Sequence, residues 1–223
     1  MADTATQQHA DHVRNHWWWR PGWHHGTRFY TWHLTFEHQP QLHELVDAYQ
    51  HELADLPQLD LIPRQWLHLT MQGVGFVDQV DQHQLDQLVH AARARLAALR
   101  APEITFDRPL LRPEAILLPA TPADSVIAIR DAIRSAFPDA GLGDAPEPRD
   151  GFLPHVSVAY VNQDGPADPV LAALTRVPTT PVTIEISSAA LIVLDRDNLM
   201  YQWREYAAAP LAGGDERLGF AAR

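Results

Sequence analysis

The sequence has no cysteine and, because all 17 of its basic residues are arginine, no lysine. Without a thiol there is no disulfide, no cysteine nucleophile and no thiolate metal ligand. Without lysine there is no Schiff base, no lysine-bearing phosphate loop and no side chain to carry an adenylyl group. Positive charge is scarce as well: 28 acidic residues outnumber the basic ones, for a formal net charge of −11. So acidic a chain is a poor partner for long nucleic acid, whose binding releases counterions to a basic surface, although a small phosphate held locally is compatible with it. No apolar run approaches the ~20 residues that cross a bilayer. The N-terminus is polar, then tryptophan-rich, and lacks the apolar core of a signal peptide, so a cytoplasmic protein without membrane contact is expected. Histidine, by contrast, is abundant: the chain has 13, where ordinary composition gives about five.

At 223 residues and 46% hydrophobic composition, the chain is long enough for one large domain or two small lobes. Residues 1–27 read as an N-terminal arm, mobile over 1–15 and carrying a Trp-rich block, and 207–223 as a flexible tail. Between them, strands and helices alternate. Arg28–Phe36 is a strand. Pro40–Leu56 is a helix with Leu42, Leu45, Val46, Tyr49 and Leu53 on one face. Trp66–Val74 is a strand, Asp78 caps a helix running to about Leu99, and Glu103–Asp107 is a strand. The order then restarts: strand Glu114–Leu118, a helix opened by Thr121-Pro122, and a Pro/Gly/Asp-rich loop over 139–151. Strand Pro154–Val161, a short helix from Asp168-Pro169, and strands near Val182–Leu194 and Leu199–Tyr206 complete it. Phe29 to His68 is 39 positions and Ala115 to His155 is 40, which suggests a duplicated unit with halves near 28–108 and 113–206.

The second strand of each half holds the most informative residues. Alternation puts His68, Thr70 and Gln72 on one face of the first, and His155 and Ser157 on one face of the second, with apolar residues behind. The His-x-Ser/Thr pattern alone is weak. With 13 histidines in this composition, about one such match arises by chance. Equivalent placement in two half-repeats, inside apolar strands, raises these two above the rest. An imidazole pair suits phosphodiester cleavage or formation. Near neutral pH one copy can be neutral and the other protonated, so one removes a proton while the other protonates the departing oxygen. The hydroxyls can hydrogen-bond non-bridging phosphate oxygens as charge builds up.

On these two strands the chain resembles the two-histidine (2H) phosphoesterases, and in the wider context "LIPRQWLHLT" and "FLPHVSVAY" it looks most like the 2′-5′ RNA ligase and cyclic phosphodiesterase branch. The resemblance spans about residues 28–206. It implies an α+β fold of two pseudo-symmetric lobes, each an antiparallel sheet with helices on its outer face, and a central cleft between them. It also implies His68 and His155 as the acid/base pair, Thr70 and Ser157 as phosphate-oxygen ligands, and no metal or other cofactor. The implied substrate is a nucleotide 2′,3′-cyclic phosphate or a 2′-5′ linkage of short RNA, handled by a monomer. Having no lysine to adenylylate, the chain can ligate only by the ATP-independent reverse of cleavage. The alternative is a nucleotide- or protein-binding module on the same scaffold, without turnover.

Other residues read more plainly. His33 lies on the first strand opposite Tyr30, Trp32, Leu34 and Phe36; it faces the cleft if those four pack the core, and no catalytic part is assigned to it. His43-Glu44 and His51-Glu52 begin metal-site patterns but have Asp47 and Asp55 where a second histidine is required, so they read as a solvated helix face. Trp17, Trp18, Trp19 and Trp23 read as fastening the arm to the fold rather than stacking a base. Arg64 and Arg149, each just before a motif, are the arginines best placed in sequence for phosphate, though either suits a solvated loop equally.

Overall fold

The structure, a computed structural model, describes residues 8–178 and 180–213. In chain order its first half runs β1 (His12–Val13), β2 (Phe29–Thr35), α1 (Pro40–Leu53), β3 (Leu59–Leu61), β4 (His68–Phe76), α2 (Gln82–Leu96), β5 (Glu103–Phe106) and β6 (Leu110–Arg112). The second runs β7 (Ala115–Pro119), α3 (Ala123–Arg134), β8 (His155–Val161), β9 (Gly165–Pro166), α4 (Asp168–Leu174), β10 (Val182–Glu185), β11 (Ser188–Asp195) and β12 (Gln202–Pro210). Alternation and amphipathic spacing account for most of these elements. Tyr30, Trp32 and Leu34 of β2 are buried together, as are Leu42, Leu45, Val46, Tyr49 and Leu53 of α1, in one large apolar core.

Two four-stranded antiparallel sheets form the lobes, in the orders β12-β11-β2-β4 and β3-β8-β7-β6. Neither sheet is one contiguous half of the chain. The C-terminal hairpin β11-β12 completes the first sheet, and β3, from the first half, edges the second. The helices cross over too. α1 follows β2 of the first sheet yet packs on β8 and β3 of the second, while α3 follows β7 of the second sheet and packs on β4 of the first. α2 joins α3 behind the first sheet, and α4 joins α1 behind the second. The duplicated halves are thus exchanged, not set side by side.

Several boundaries differ from the sequence reading. The cap of α2 is Asp81, whose carboxylate accepts from the backbone N–H groups of His83 and Gln84 at 2.9 and 3.2 Å. Asp78 lies in the preceding turn, and the helix stops at Leu96. Strand β4 starts at His68 because Arg64–Trp66 form a 3₁₀ turn. The expected strand Val182–Leu194 is two: β10 pairs with β5 and β11 joins the first sheet. β12 extends to Pro210, into the segment expected as tail. The arm is docked from His9 onward, whose Nδ1 accepts from the Leu111 N–H at 3.0 Å. β1 pairs with β9, and the N–H groups of Ala10, Arg14 and His16 donate to the carbonyls of Leu111, Pro113 and Val161 at 2.9, 2.7 and 2.8 Å. Residues 1–7 and 214–223, expected as parts of arm and tail, lie outside the described residues.

Candidate active site

The two sheets face each other across a cleft of about 810 Å³, and His68, Thr70, His155 and Ser157 all line it. Each histidine opens its strand and is held in the same way. Nδ1 of His68 donates to the carbonyl of Trp66 at 2.8 Å, and Nδ1 of His155 to that of Leu153 at 2.7 Å. A carbonyl only accepts, so each Nδ1 must carry a proton and Nε2 is left as the reactive nitrogen. The neutral ring is then a base through Nε2, and the doubly protonated ring an acid through the same atom.

Both strands also bulge at the same place. His33 pairs with Thr70 and Trp32 with Gln72, leaving Met71 unpaired in β4; Leu117 pairs with Ser157 and Ile116 with Ala159, leaving Val158 unpaired in β8. One extra residue reverses the alternation beyond it. Gln72 was expected on the histidine face, but the bulge turns it to the back, where it is fully buried and accepts from Arg134 of α3. In β8 the same reversal brings Tyr160 onto the cleft wall, three residues after Ser157. Each bulge also turns a carbonyl toward the helix crossing from the other half, the Val158 carbonyl accepting in addition from the Ile62 N–H at 3.1 Å. Arg130 of α3 donates through Nε to Met71 O at 2.7 Å. Gln50 of α1 donates through Nε2 to Val158 O at 2.9 Å and to Ile62 O at 2.8 Å.

Burial dominates the electrostatics of the pair. It pushes the pKa of His68 down to about 4, against the raising effect of the Trp66 hydrogen bond, with His155 a further lowering influence. His155 is lowered as well, first by burial and then by Arg112, despite its bond to Leu153. His33 is 1% exposed, stacks on His68 at 4.5 Å between ring centres, and places Nε2 3.3 Å from the Thr70 hydroxyl. Burial, then the neighbouring His68, holds it well below the ordinary range. Tyr30, Trp32, Leu34 and Phe36 do pack the core, so His33 turns to the cleft. Burial raises the Tyr160 phenol, which therefore stays protonated and able to donate.

The arginines of the cleft are not those nearest the motifs in sequence. Arg64 and Arg149 pair with Asp47 and Asp131 on exposed surface, the second at 2.5 Å, and neither lines the cleft. The lining instead includes Arg14, Arg20, Arg112 and Arg196, against the carboxylates of Glu114 and Glu147. An acidic chain thus carries a local excess of positive charge at its cleft. Arg196 follows β11, some forty residues beyond the second motif, and no spacing rule connects the two; only the return of the β11-β12 hairpin brings it in. Among the described residues no group of three or more His, Asp or Glu is arranged to hold a metal ion. His43 instead pairs its Nε2 with the Phe36 carbonyl at 2.7 Å.

The Trp-rich segment divides. Trp17 is buried and donates to Asp60 at 2.7 Å, and Trp23 packs on Phe29 and Phe76 at 5.6 and 5.7 Å, so these two fasten the segment to the lobes. Gly22 makes the close approach possible: its φ is +80°, and a Cβ there would stand 2.7 Å from the Phe76 ring. Trp18 and Trp19 are 49% and 52% exposed and fasten little.

The fold is one found among known proteins. No curated sequence matches the chain. By structure it is similar to TT0787 of Thermus thermophilus, with a TM-score of 0.63 at 15% identity over 85% of this chain and 100% of that one. E. coli LigT complexed with 3′-AMP gives 0.59 at 14% over 83% and 98%. The MHV ns2 PDE domain gives 0.54 at 13% over 75% and 99%. At such identities these matches establish the fold. Among the described residues no helix is long and apolar enough to cross a membrane. The sequence model of the 2′-5′ RNA ligase superfamily matches residues 38–198, from just before α1 to just after β11 and including both histidine strands, and the chain belongs to that superfamily.

Proposed function

We propose that the protein is a metal-independent phosphodiesterase acting on 2′,3′-cyclic phosphates or 2′-5′ linkages of nucleotides and short RNA. The observation that carries the reading is the paired frame of the cleft. Two imidazoles, each with Nδ1 committed to a carbonyl, turn Nε2 toward one space in which Thr70 and Ser157 supply hydroxyls. In cleavage of a cyclic phosphate, the neutral histidine takes a proton from water as the oxygen attacks phosphorus. The protonated one delivers its proton to the ribose oxygen as the P–O bond breaks. Thr70 and Ser157 hydrogen-bond the non-bridging oxygens, whose charge grows in the transition state. With a ribose hydroxyl in place of water, the same ring opening forms a 2′-5′ bond without ATP and each histidine keeps its role; the two exchange roles only when a 2′-5′ linkage is cleaved back to the cyclic phosphate.

Both rings are neutral near pH 7 in the free cleft, because burial lowers them. A bound phosphate anion favours the imidazolium form, so substrate itself promotes the protonated partner. That a structural neighbour, LigT, is complexed with 3′-AMP supports a nucleotide in this cleft.

The test is incubation with 2′,3′-cyclic nucleotides and 2′-5′-linked dinucleotides, with products resolved by chromatography, in the presence of EDTA. Turnover is expected, and His68→Ala or His155→Ala is expected to lower kcat by about 10²–10⁴ with the fold retained by circular dichroism. Full activity in either variant, or binding of these compounds with no turnover by the wild type, overturns the reading. The second outcome would leave a binding module.

A further inference from the structure

The end of the cleft formed by the N-terminal segment holds cationic groups that the histidine mechanism does not use. Arg196 is only 3% exposed, yet its guanidinium lies on the cleft wall. Aromatic rings surround it: Trp17 at 5.4 Å, Tyr201 at 5.5 Å, Trp23 at 5.8 Å and Trp19 at 5.9 Å from the guanidinium carbon. Ring faces attract a cation but provide no carboxylate. Nη2 donates to the His16 carbonyl at 3.3 Å, and Nη1 has no hydrogen-bond partner among the described residues. Beside it, Arg20 donates through Nη2 to Glu114 at 3.2 Å while its Nε is also buried without a partner among the described residues. Glu114 is the carboxylate that acts on Arg196, and Arg14, 2.9 Å from it, together with Arg20 offsets its charge. His16 adds none: burial, Arg20 and Arg196 lower its pKa to about 3, its Nε2 pairs with the Tyr201 hydroxyl at 3.0 Å, and Nδ1 stands 3.4 Å from Glu114 with no hydrogen-bond partner among the described residues.

A buried guanidinium without an anionic partner is unfavourable unless a ligand supplies one. The position of the site bears on which ligand that is. The Tyr201 ring is 5.5 Å from the Arg196 guanidinium and 6.0 Å from the His68 ring, so one aromatic side chain separates this cation from the histidine pair. A nucleotide spans that separation. The cyclic or bridging phosphate has its own ligands in Thr70 and Ser157, which leaves Arg196 for another anionic group.

We propose that Arg196 and Arg20 form a second anion subsite, which binds a phosphoryl group other than the one being cleaved. The preferred substrate class is accordingly a nucleotide bearing at least two phosphoryl groups, such as a 5′-phosphorylated nucleoside cyclic phosphate or a short phosphorylated oligonucleotide. This rests on the reading of the histidine pair as the site of the scissile phosphate. The unpaired donors of the Trp-rich segment and of Arg196 are thereby satisfied only in the complex.

Binding of adenosine 3′-phosphate and adenosine 3′,5′-bisphosphate, measured by calorimetry at one fixed ionic strength, tests the subsite. The bisphosphate is expected to bind about tenfold more tightly, the size of one charge-assisted hydrogen bond. Arg196→Gln should bring the two affinities together. Arg20→Gln, at a half-exposed side chain whose loss does not threaten the fold, should reduce the ratio about threefold. Equal affinities in the wild type, or an unchanged ratio in a folded Arg196→Gln protein, overturns the proposal. Should Arg196→Gln fail to fold, Arg20→Gln decides, and an unchanged ratio is fatal. Neither probe has a linkage to cleave, so the ratio is read without turnover. A protein that binds as expected and cleaves nothing overturns the histidine mechanism while leaving the anion subsite standing.

Discussion

His68 and His155 occupy the same backbone frame with different neighbours. In both lobes a histidine opens the strand, donates Nδ1 to the carbonyl two residues back, and precedes a hydroxyl and then a bulge. Beside Thr70 on the adjoining strand stands His33; beside Ser157 stands Leu117. Three residues after Thr70 comes Gly73, and three after Ser157 comes Tyr160. The bulge carbonyl is held by the cationic Arg130 in one lobe and by the neutral Gln50 in the other. What the lobes share is what orients a reactive nitrogen; where they differ is in what lies around it. The shared features fit the acid/base chemistry, and the differences make the two walls of the cleft unlike, as an asymmetric substrate requires.

Beyond the histidines themselves, the largest expected effect comes from removing the hydroxyls. Thr70→Val and Ser157→Ala should each lower kcat on a cyclic nucleotide by about 10²-fold, the usual cost of one oxyanion ligand. A loss confined to one variant would show that only one lobe binds the phosphoryl oxygens. Next come the bulge caps. Arg130→Met leaves the buried Met71 carbonyl unmet and releases the carbonyls of Pro148 and Arg149, held at 3.0 and 3.3 Å. It should cost about 3 kcal/mol in denaturant unfolding, whereas Gln50→Leu, which removes a neutral donor, should cost about 1–2 kcal/mol. Equal costs would mean that the charge of Arg130 adds nothing to the cap.

The smallest effect is a slope. His33 and His68 are held below the unfolded-state value near 6.5, so as pH falls through 6.5 the unfolded chain takes up protons that the native chain refuses. Stability therefore declines on acidification below pH 6.5, by up to about 1.4 kcal/mol per pH unit for each such group. His33→Leu gives the first lobe the residue type found in the second and should flatten that slope by one group. An unchanged slope between pH 6.5 and 5 in urea titrations would place the native His33 pKa in the ordinary range.

The motif strands were legible because alternation and equal spacing survive in the residues themselves. The bulges were not. Met71 and Val158 are apolar, like the residues around them, and an added apolar residue leaves no mark in the pattern. Gln72 was therefore assigned to the wrong face, and Tyr160 was overlooked. The one available signal was positional, since Tyr160 stands five residues after His155 as Gly73 does after His68. The exchange of strands was hidden because β3 and β6 have three residues each, too few for a period to show. Sequence proximity favoured Arg64 and Arg149, but both are neutralised by nearby carboxylates, while Arg196 arrives through a hairpin that local pattern cannot place.

The crossing of α1 and α3 between lobes has a mechanical consequence. Two bodies joined by a hinge can swing apart because little but the hinge connects them. Here the chain passes between the lobes at β2–α1, β3–β4, β7–α3 and α3–β8, because α1 packs on the second sheet and α3 on the first. Any opening of the cleft has to bend all of these connections together.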